Sequence, residues 1–302
     1  MKIIYGLQKI KKIKKPVVAL GVFDGVHRGH IKILRAIVTK AHSIRGRSVV
    51  LTFWPHPQAE KSLYSLEHRL RLIGEQGVDI CIVINFNRQF CGMSAFDFIK
   101  DILIEKIGVN FIYIGENFRF GRNAEGNYRT LRKMSGKFNF KLKVFRVIKM
   151  GGREISSTYI RNLITKGDLS LARKLLSRRV SILGTVIKGN FLGRKIGFPT
   201  ANINPHHEVV PPNGVYAVRV IFNGKIFKGV CYIGKRPTFQ IEKAKIHIEV
   251  HIFDFKQNIY AKFLEIQFIK KIRKEKKFDS PASLAEEIRK DASIANRVFP
   301  LH

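Results

Sequence analysis

The strongest constraint on how this chain can fold is a change of pattern near residue 178. Before it, strand-length apolar runs alternate with helical spacing; after it, short β-branched runs follow one another across glycine-bearing turns. Residues 17–23 are one such apolar run, ending in Asp24-Gly25. Ile31, Leu34, Ile37, Val38 and Ala41 then recur at helical spacing, predicting a helix over about 29–44. Residues 48–53 form the next buried run. Strand–helix–strand units of this kind build parallel sheets with right-handed crossovers. The alternation continues, with helices predicted at 66–75, 95–107 and 128–138 and strands at 79–86, 111–115 and 142–147. Two short helices, 158–165 and 169–176, are separated by Gly167-Asp168. Unbroken apolar strands fit a sheet covered on both faces.

From Val180 onward, strands are predicted at 182–188, 214–222, 225–233, 246–255 and 262–269. Asn223-Gly224 between two of them is a strong hairpin signal. Only 283–290, after Ser280-Pro281, looks helical. Strands without intervening helices suggest a small antiparallel barrel. The expectation is therefore an α/β domain with a Rossmann-like parallel sheet over 1–178. A small antiparallel β-barrel with a terminal helix should follow over 179–302. A length of 302 residues suits two domains.

Lysine and arginine number 56 against 22 acids, a formal charge of +34. Such an excess invites a nucleic-acid or membrane-surface reading. The basic residues are spread over the whole length, however, and read better as solvated surface, so no specific nucleic-acid partner is expected. Cys81, Cys91 and Cys231 show no metal spacing, and Cys81 and Cys231 sit in apolar runs, as buried thiols do in a reducing cytoplasm. No apolar run approaches the ~20 residues of a membrane span. The basic N-terminus lacks a secretory signal's apolar core. A cytoplasmic protein without a membrane partner is expected, and an oligomer is left open.

The turn from Gly21 to His30 carries the first chemical signal. It joins a buried strand to a helix, and ligands bind at the carboxyl ends of strands in open parallel sheets. Helix N-termini present free N–H groups and a positive dipole end, which suit phosphate. Gly25 and Gly29 allow close backbone approach, and His27 and His30, three apart, can face one bound group. Two imidazoles there can stabilise charge on a phosphoryl oxygen. Two histidines without a third ligand do not make a zinc site. The combination resembles the His-x-Gly-His signature of nucleotidyltransferases.

That resemblance calls for a second signature, and 155–161 supplies it. Ser156, Ser157 and Thr158 open a predicted helix, and Arg161 adds a fork of donors one turn later. Trp54 and Phe120, each in a segment that ends a strand, are candidates to stack a planar ring.

The second constellation opens the small domain. Gly184, Gly189, Gly193 and Gly197 lie in a basic segment that ends Phe198-Pro199-Thr200-Ala201-Asn202. Such a loop can cradle phosphates through backbone N–H groups, and it lacks the Gly-Lys-Ser/Thr ending of a Walker loop. Thr200 and Asn202 offer oxygens that suit magnesium. Glu249 and His251 share one face of a predicted strand, and Glu249 is a candidate general base.

End to end, the chain resembles the prokaryotic bifunctional riboflavin kinase/FAD synthetase family. The motifs run in order: Phe-Asp-Gly-Val-His-x-Gly-His, Thr-Phe-x-Pro-His-Pro, Asn-Phe-Arg-Phe-Gly, Ser-Ser-Thr-x-x-Arg, Gly-Phe-Pro-Thr-Ala-Asn, Gly-Val-Tyr, Arg-Pro-Thr-Phe and Glu-x-His-x-x-Asp-Phe. The resemblance implies a C-terminal domain that phosphorylates riboflavin with ATP to give FMN. It implies an N-terminal domain that adenylylates FMN with a second ATP, giving FAD and pyrophosphate.

It also implies residue roles. In the adenylyltransferase, His27 and His30 would be catalytic. Gly21, Phe23, Asp24, Gly29, Asn117, Arg119, Ser156, Ser157, Thr158 and Arg161 would bind ATP. In the kinase, Glu249 would be the base, Gly189, Gly193, Lys195, Gly197 and Pro199 would bind ATP, and Thr200 and Asn202 would hold Mg2+. Trp54, Phe120 and Arg273 would contact flavin. Two positions depart from the pattern: Tyr232 where many members have Asn, and Asn117 where many have Asp.

Overall fold

A computed structural model describes residues 1–56, 62–189, 193, 196–235 and 246–299. Packing divides the chain into two compact units: Met1–Ser62 with Leu66–Tyr159, and Leu63–Ser65 with Ile160–His302. The division falls before the change of pattern at 178, because most of one helix (Ser157–Lys166) and the whole of the next group with the second unit.

The first unit holds a six-stranded, wholly parallel sheet of β1 (Lys2–Tyr5), β2 (Pro16–Leu20), β3 (Arg47–Trp54), β4 (Ile80–Asn85), β5 (Phe111–Gly115) and β6 (Lys141–Phe145). The strand order is β1-β4-β3-β2-β5-β6. β2 is buried at every residue, as a strand covered on both faces requires. It stops at Leu20, short of the expected 23. Phe23, Gly25 and Val26 turn to positive φ, at 55°, 81° and 38°, which breaks the extended run.

β1 was not expected from the sequence. It is a four-residue edge strand with only Ile4 buried, so its apolar pattern is too short to stand out beside the basic run that follows. α1 (Arg28–Ser43) crosses from β2 to β3 and buries Leu34, Ile37 and Ala41 of the predicted face; Ile31 and Val38 are half-buried, and Ile33, not among the expected positions, is buried as well. α2 is Leu66–Gly74. Phe98–Ile107, expected as α-helix, is wound in the wider π form. α3 is Tyr128–Lys137, with an Asn127–Thr130 capping box. A short hairpin, β7 (Lys149–Met150) with β8 (Arg153–Glu154), precedes α4 (Ser157–Lys166) and α5 (Leu169–Leu176).

The second unit is built on a closed antiparallel barrel of β9 (Ser181–Ile187), β10 (Ala201–Asn204), β11 (Gly214–Phe222), β12 (Lys225–Lys235), β13 (Ile246–Ile252) and β14 (Phe263–Arg273). β10, not among the expected strands, pairs only two residues with β13 and three with β9, yet it closes the barrel. The terminal helix α6 (Pro281–Val298) is longer than expected. Beyond 290 its buried positions are Asp291 and Ala295, and one of them is charged, which thins the apolar signal. Ala295 and Phe299 pack on Val215, Ala217 and Val230 of the barrel.

Candidate functional site

In the parallel sheet the strand order reverses between β2 and β5: β3 and β4 lie to one side of β2, and β5 and β6 to the other. That reversal is where open α/β sheets bind ligands. Both motif segments emerge there, the Gly21–His30 turn after β2 and the 115–121 segment after β5.

His27 is the N-cap of α1 in extended backbone, and its ring stacks on His30 with centroids 3.7 Å apart. A Cβ on Gly29 would lie 3.1 Å from the His27 ring, so glycine there leaves the imidazole its place. Phe23 meets His30 edge-on at 5.2 Å. Asp24 is buried, 3.8 Å from Nε2 of His56, and its carbonyl accepts the Ser157 hydroxyl at 2.8 Å. The second signature is thereby tied to the first. The Ser156 hydroxyl accepts from the Tyr159 N–H and so caps α4, as an ordinary N-cap does. Thr158 is exposed, and Arg161 follows one turn after Ser157.

A cavity of about 490 Å³ lies beside this turn. Phe53, Phe86, Phe90, Phe98 and Phe120 give it an aromatic wall, Val22 adds an aliphatic contact, and Asn117 and Arg119 stand at its polar side. Phe120 lines it. Trp54 does not. Side chains alternate along β3, so Phe53 faces the cavity and Trp54 instead lies under the guanidinium of Arg69, at 5.5 Å. Phe86, Phe90 and Phe98 were missed because, in sequence, they look like ordinary core.

Arg69 was also missed. It is fully buried on α2 and donates to the carbonyls of Val22 at 2.9 Å and Phe53 at 3.0 Å. Burial pulls its pKa down, while the Asp24 carboxylate pushes it back up. A charged residue in a buried helix position was the available signal. Replacing it, as in Arg69→Met, takes this donor from the Phe53 carbonyl and leaves the Val22 carbonyl with the Thr52 hydroxyl. The first unit should lose about 1–3 kcal/mol, read as an earlier melt by circular dichroism. An unchanged melt would show that the brace is dispensable.

In the barrel, Glu249 and Asn202 are cross-strand partners of β13 and β10. The Thr200 hydroxyl donates to the Glu249 carboxylate at 3.1 Å, and His247, which sequence reasoning did not single out, contacts the other carboxylate oxygen. His251 shares the face and is bonded through Nδ1 to the Pro199 carbonyl at 2.9 Å. Asn202 is buried, and a Cβ on Gly189 would collide with its amide. Gly197 takes positive φ at 86° with open space beside it. Lys195, with 190–192 and the 236–239 motif, lies outside the described residues.

Thr200 borders two cavities. One, about 440 Å³, is lined by Val215, Val230, Tyr232, Glu249, Phe278 and Ile288 among others, with Gly193, Arg273 and Asp291. The other, about 340 Å³, is more polar and includes Pro199, Lys256, Gln257, Asn258 and Tyr260. Arg273 is held by Asp291 at 2.8 Å and Glu287 at 3.4 Å, and its guanidinium lies 5.6 Å over the Phe278 ring. Burial raises the Asp291 pKa despite that arginine.

A sheet with a histidine turn at its reversal point, and a barrel whose Thr200, bonded to Glu249, borders two cavities, fit a two-module transferase of phosphate-bearing groups. Residues 9–159 match the FAD synthetase family model and 176–299 the riboflavin kinase model. Two bifunctional riboflavin kinase/FMN adenylyltransferases are similar throughout. The protein of Buchnera aphidicola from Schizaphis graminum is 39% identical over 100% of both chains, and that of Haemophilus influenzae is 40% identical over 99% of both. A solved Streptococcus pneumoniae structure described as a macrolide-efflux protein has the same fold, with a TM-score of 0.83 and 28% identity over 98% of this chain and 99% of that one. No described helix of the present chain is long and apolar enough to cross a membrane. The chain belongs to the bifunctional riboflavin kinase/FMN adenylyltransferase family. Its C-terminal part phosphorylates riboflavin to FMN and its N-terminal part converts FMN to FAD, with ATP as the donor in both.

Proposed function

We propose that the two reactions run in separate modules, 1–178 and 179–302, with the following residue roles. In the kinase, riboflavin occupies the apolar 440 Å³ cavity and ATP the polar one. The observation that carries this reading is the Thr200–Glu249 pair standing where the two cavities meet. Glu249 accepts the proton of the riboflavin 5′-hydroxyl as that oxygen attacks the γ-phosphorus and ADP leaves. His247 positions the Glu249 carboxylate, and Gly189, Gly193, Gly197, Pro199 and Lys195 hold the phosphates.

The oxygens of Thr200 and Asn202, beside the Glu249 carboxylate, fit a hard cation. When bound there, Mg2+ would neutralise phosphate charge. Arg273 contacts the flavin through the cavity wall, where it is already held over Phe278.

In the adenylyltransferase, FMN enters the aromatic cavity and its ring packs against Phe120 and the neighbouring phenylalanines. A phosphate oxygen of FMN attacks the α-phosphorus of ATP, pyrophosphate leaves, and His27 and His30 stabilise the developing charge. Gly21, Phe23, Asp24, Gly29, Asn117, Arg119, Ser156, Ser157, Thr158 and Arg161 surround the nucleotide. The reaction takes place in the cytoplasm on free small molecules, without a nucleic-acid or membrane partner, in a monomer or an oligomer.

Incubation with riboflavin, ATP and magnesium, with flavins separated over time, should yield FMN first and FAD later. Riboflavin left unchanged, or supplied FMN not converted to FAD, would contradict this reading, and a full rate without magnesium would remove the metal.

A further inference from the structure

Tyr232 lies beside Glu249 across β12 and β13, so the two side chains share the cavity face. Its hydroxyl donates to the Glu275 carboxylate, and the Asn213 amide donates to the other oxygen of that carboxylate at 3.1 Å. Glu275 belongs to the segment 274–279 that joins β14 to α6. Lys276 and Phe278 of this segment form part of the wall of the 440 Å³ cavity.

The segment is thus fastened on both sides. Arg273 and Lys276 tie it to Asp291 and Glu287 of α6, and Glu275 ties it to the barrel through Tyr232 and Asn213. Gly234 makes the barrel-side tie feasible, since a Cβ there would collide with both the Tyr232 hydroxyl and the Glu275 carboxylate.

We propose that Tyr232 is a positioning residue of the kinase: with Glu275 it latches the 274–279 strap across the flavin cavity and slows escape of the bound flavin. The proposal rests on the reading of that cavity as the riboflavin site. Burial, and then the Glu275 carboxylate, hold the phenol above its ordinary pKa, so it remains a donor throughout the neutral range. The ring stays in place in Tyr232→Phe, so only the latch is removed.

Riboflavin Kd, from quenching of flavin fluorescence without ATP, should rise about 3- to 10-fold in Tyr232→Phe, the scale of one hydrogen bond. KM for riboflavin should rise in parallel, while KM for ATP and kcat move less than twofold. Glu275→Ala should reproduce the effect, and the double variant should be no worse than either single one. Ile288→Trp, which fills the cavity, is the control for the underlying reading. If it still binds riboflavin with wild-type Kd while its melt is unchanged, the cavity assignment is wrong and the proposal falls with it. If it blocks binding but Tyr232→Phe leaves Kd unchanged, or if the Tyr232 and Glu275 effects add, the latch alone is refuted.

Discussion

Glu249→Gln should lower FMN formation from riboflavin by about a hundred- to ten-thousand-fold, the usual cost of removing a general base. Supplied FMN should still be adenylylated at the wild-type rate. The substitution is nearly isosteric: a glutamine oxygen still accepts from the Thr200 hydroxyl, so the strand pairing of β13 with β10 should persist. Loss of the proton acceptor is then separated from loss of shape. The effect should be on kcat more than on KM for riboflavin, because the cavity wall is otherwise unchanged. Full kinase activity in this variant would reduce Glu249 to a buttress for Thr200 and His247. His251, on the same face but bonded to the Pro199 carbonyl, would be the next acid–base candidate.

His30→Ala should act in the opposite sense. FAD formation from FMN should fall about a hundred- to a thousand-fold, the range seen when a donor to a transition-state oxyanion is removed. FMN formation should stay near wild type, since His30 is on α1 in the first unit and the kinase residues are in the second. The substitution also removes half of a stacked pair, leaving His27 without its ring partner at 3.7 Å. His27→Ala should therefore be similarly severe, and the double variant should be little worse than either single one. Conversion of FMN at the wild-type rate by His30→Ala would mean that the pair does no chemistry.

Much of the architecture was legible because each part of the chain repeats one pattern, strand–helix alternation first and successive short strands after it. The parallel strands are buried on both faces and so read as unbroken apolar runs, as β2 does. α1 buried Leu34, Ile37 and Ala41 of the positions its spacing named, with Ile31 and Val38 half-buried. What escaped were elements stabilised by neighbours more than by their own pattern. β1 is four residues at a sheet edge, and β10 is four residues whose role is to close a barrel. The site was legible where a motif concentrates unusual residues, as in the histidine turn. It was illegible where function borrows core residues, because Phe86, Phe90 and Phe98 differ from ordinary packing only in lining an open cavity. Trp54 shows the converse: strand parity, which a one-residue shift reverses, sent its ring to Arg69 and left Phe53 on the cavity.

The bond from the Ser157 hydroxyl to the Asp24 carbonyl joins residues 133 positions apart. A ribosome adding about 5–20 residues per second takes roughly 7–27 s to cover that interval. Through that time the histidine turn is already outside or emerging, yet the residue that ties it to α4 has not been made. The intervening strands β3 to β6 must be laid down before the two ends can meet, and closing so long a loop is costly until they are. The junction of the histidine turn with the second signature is therefore among the last parts of its unit to be completed, and a chain truncated before residue 157 would carry the histidines without the tie that joins the second signature to their turn.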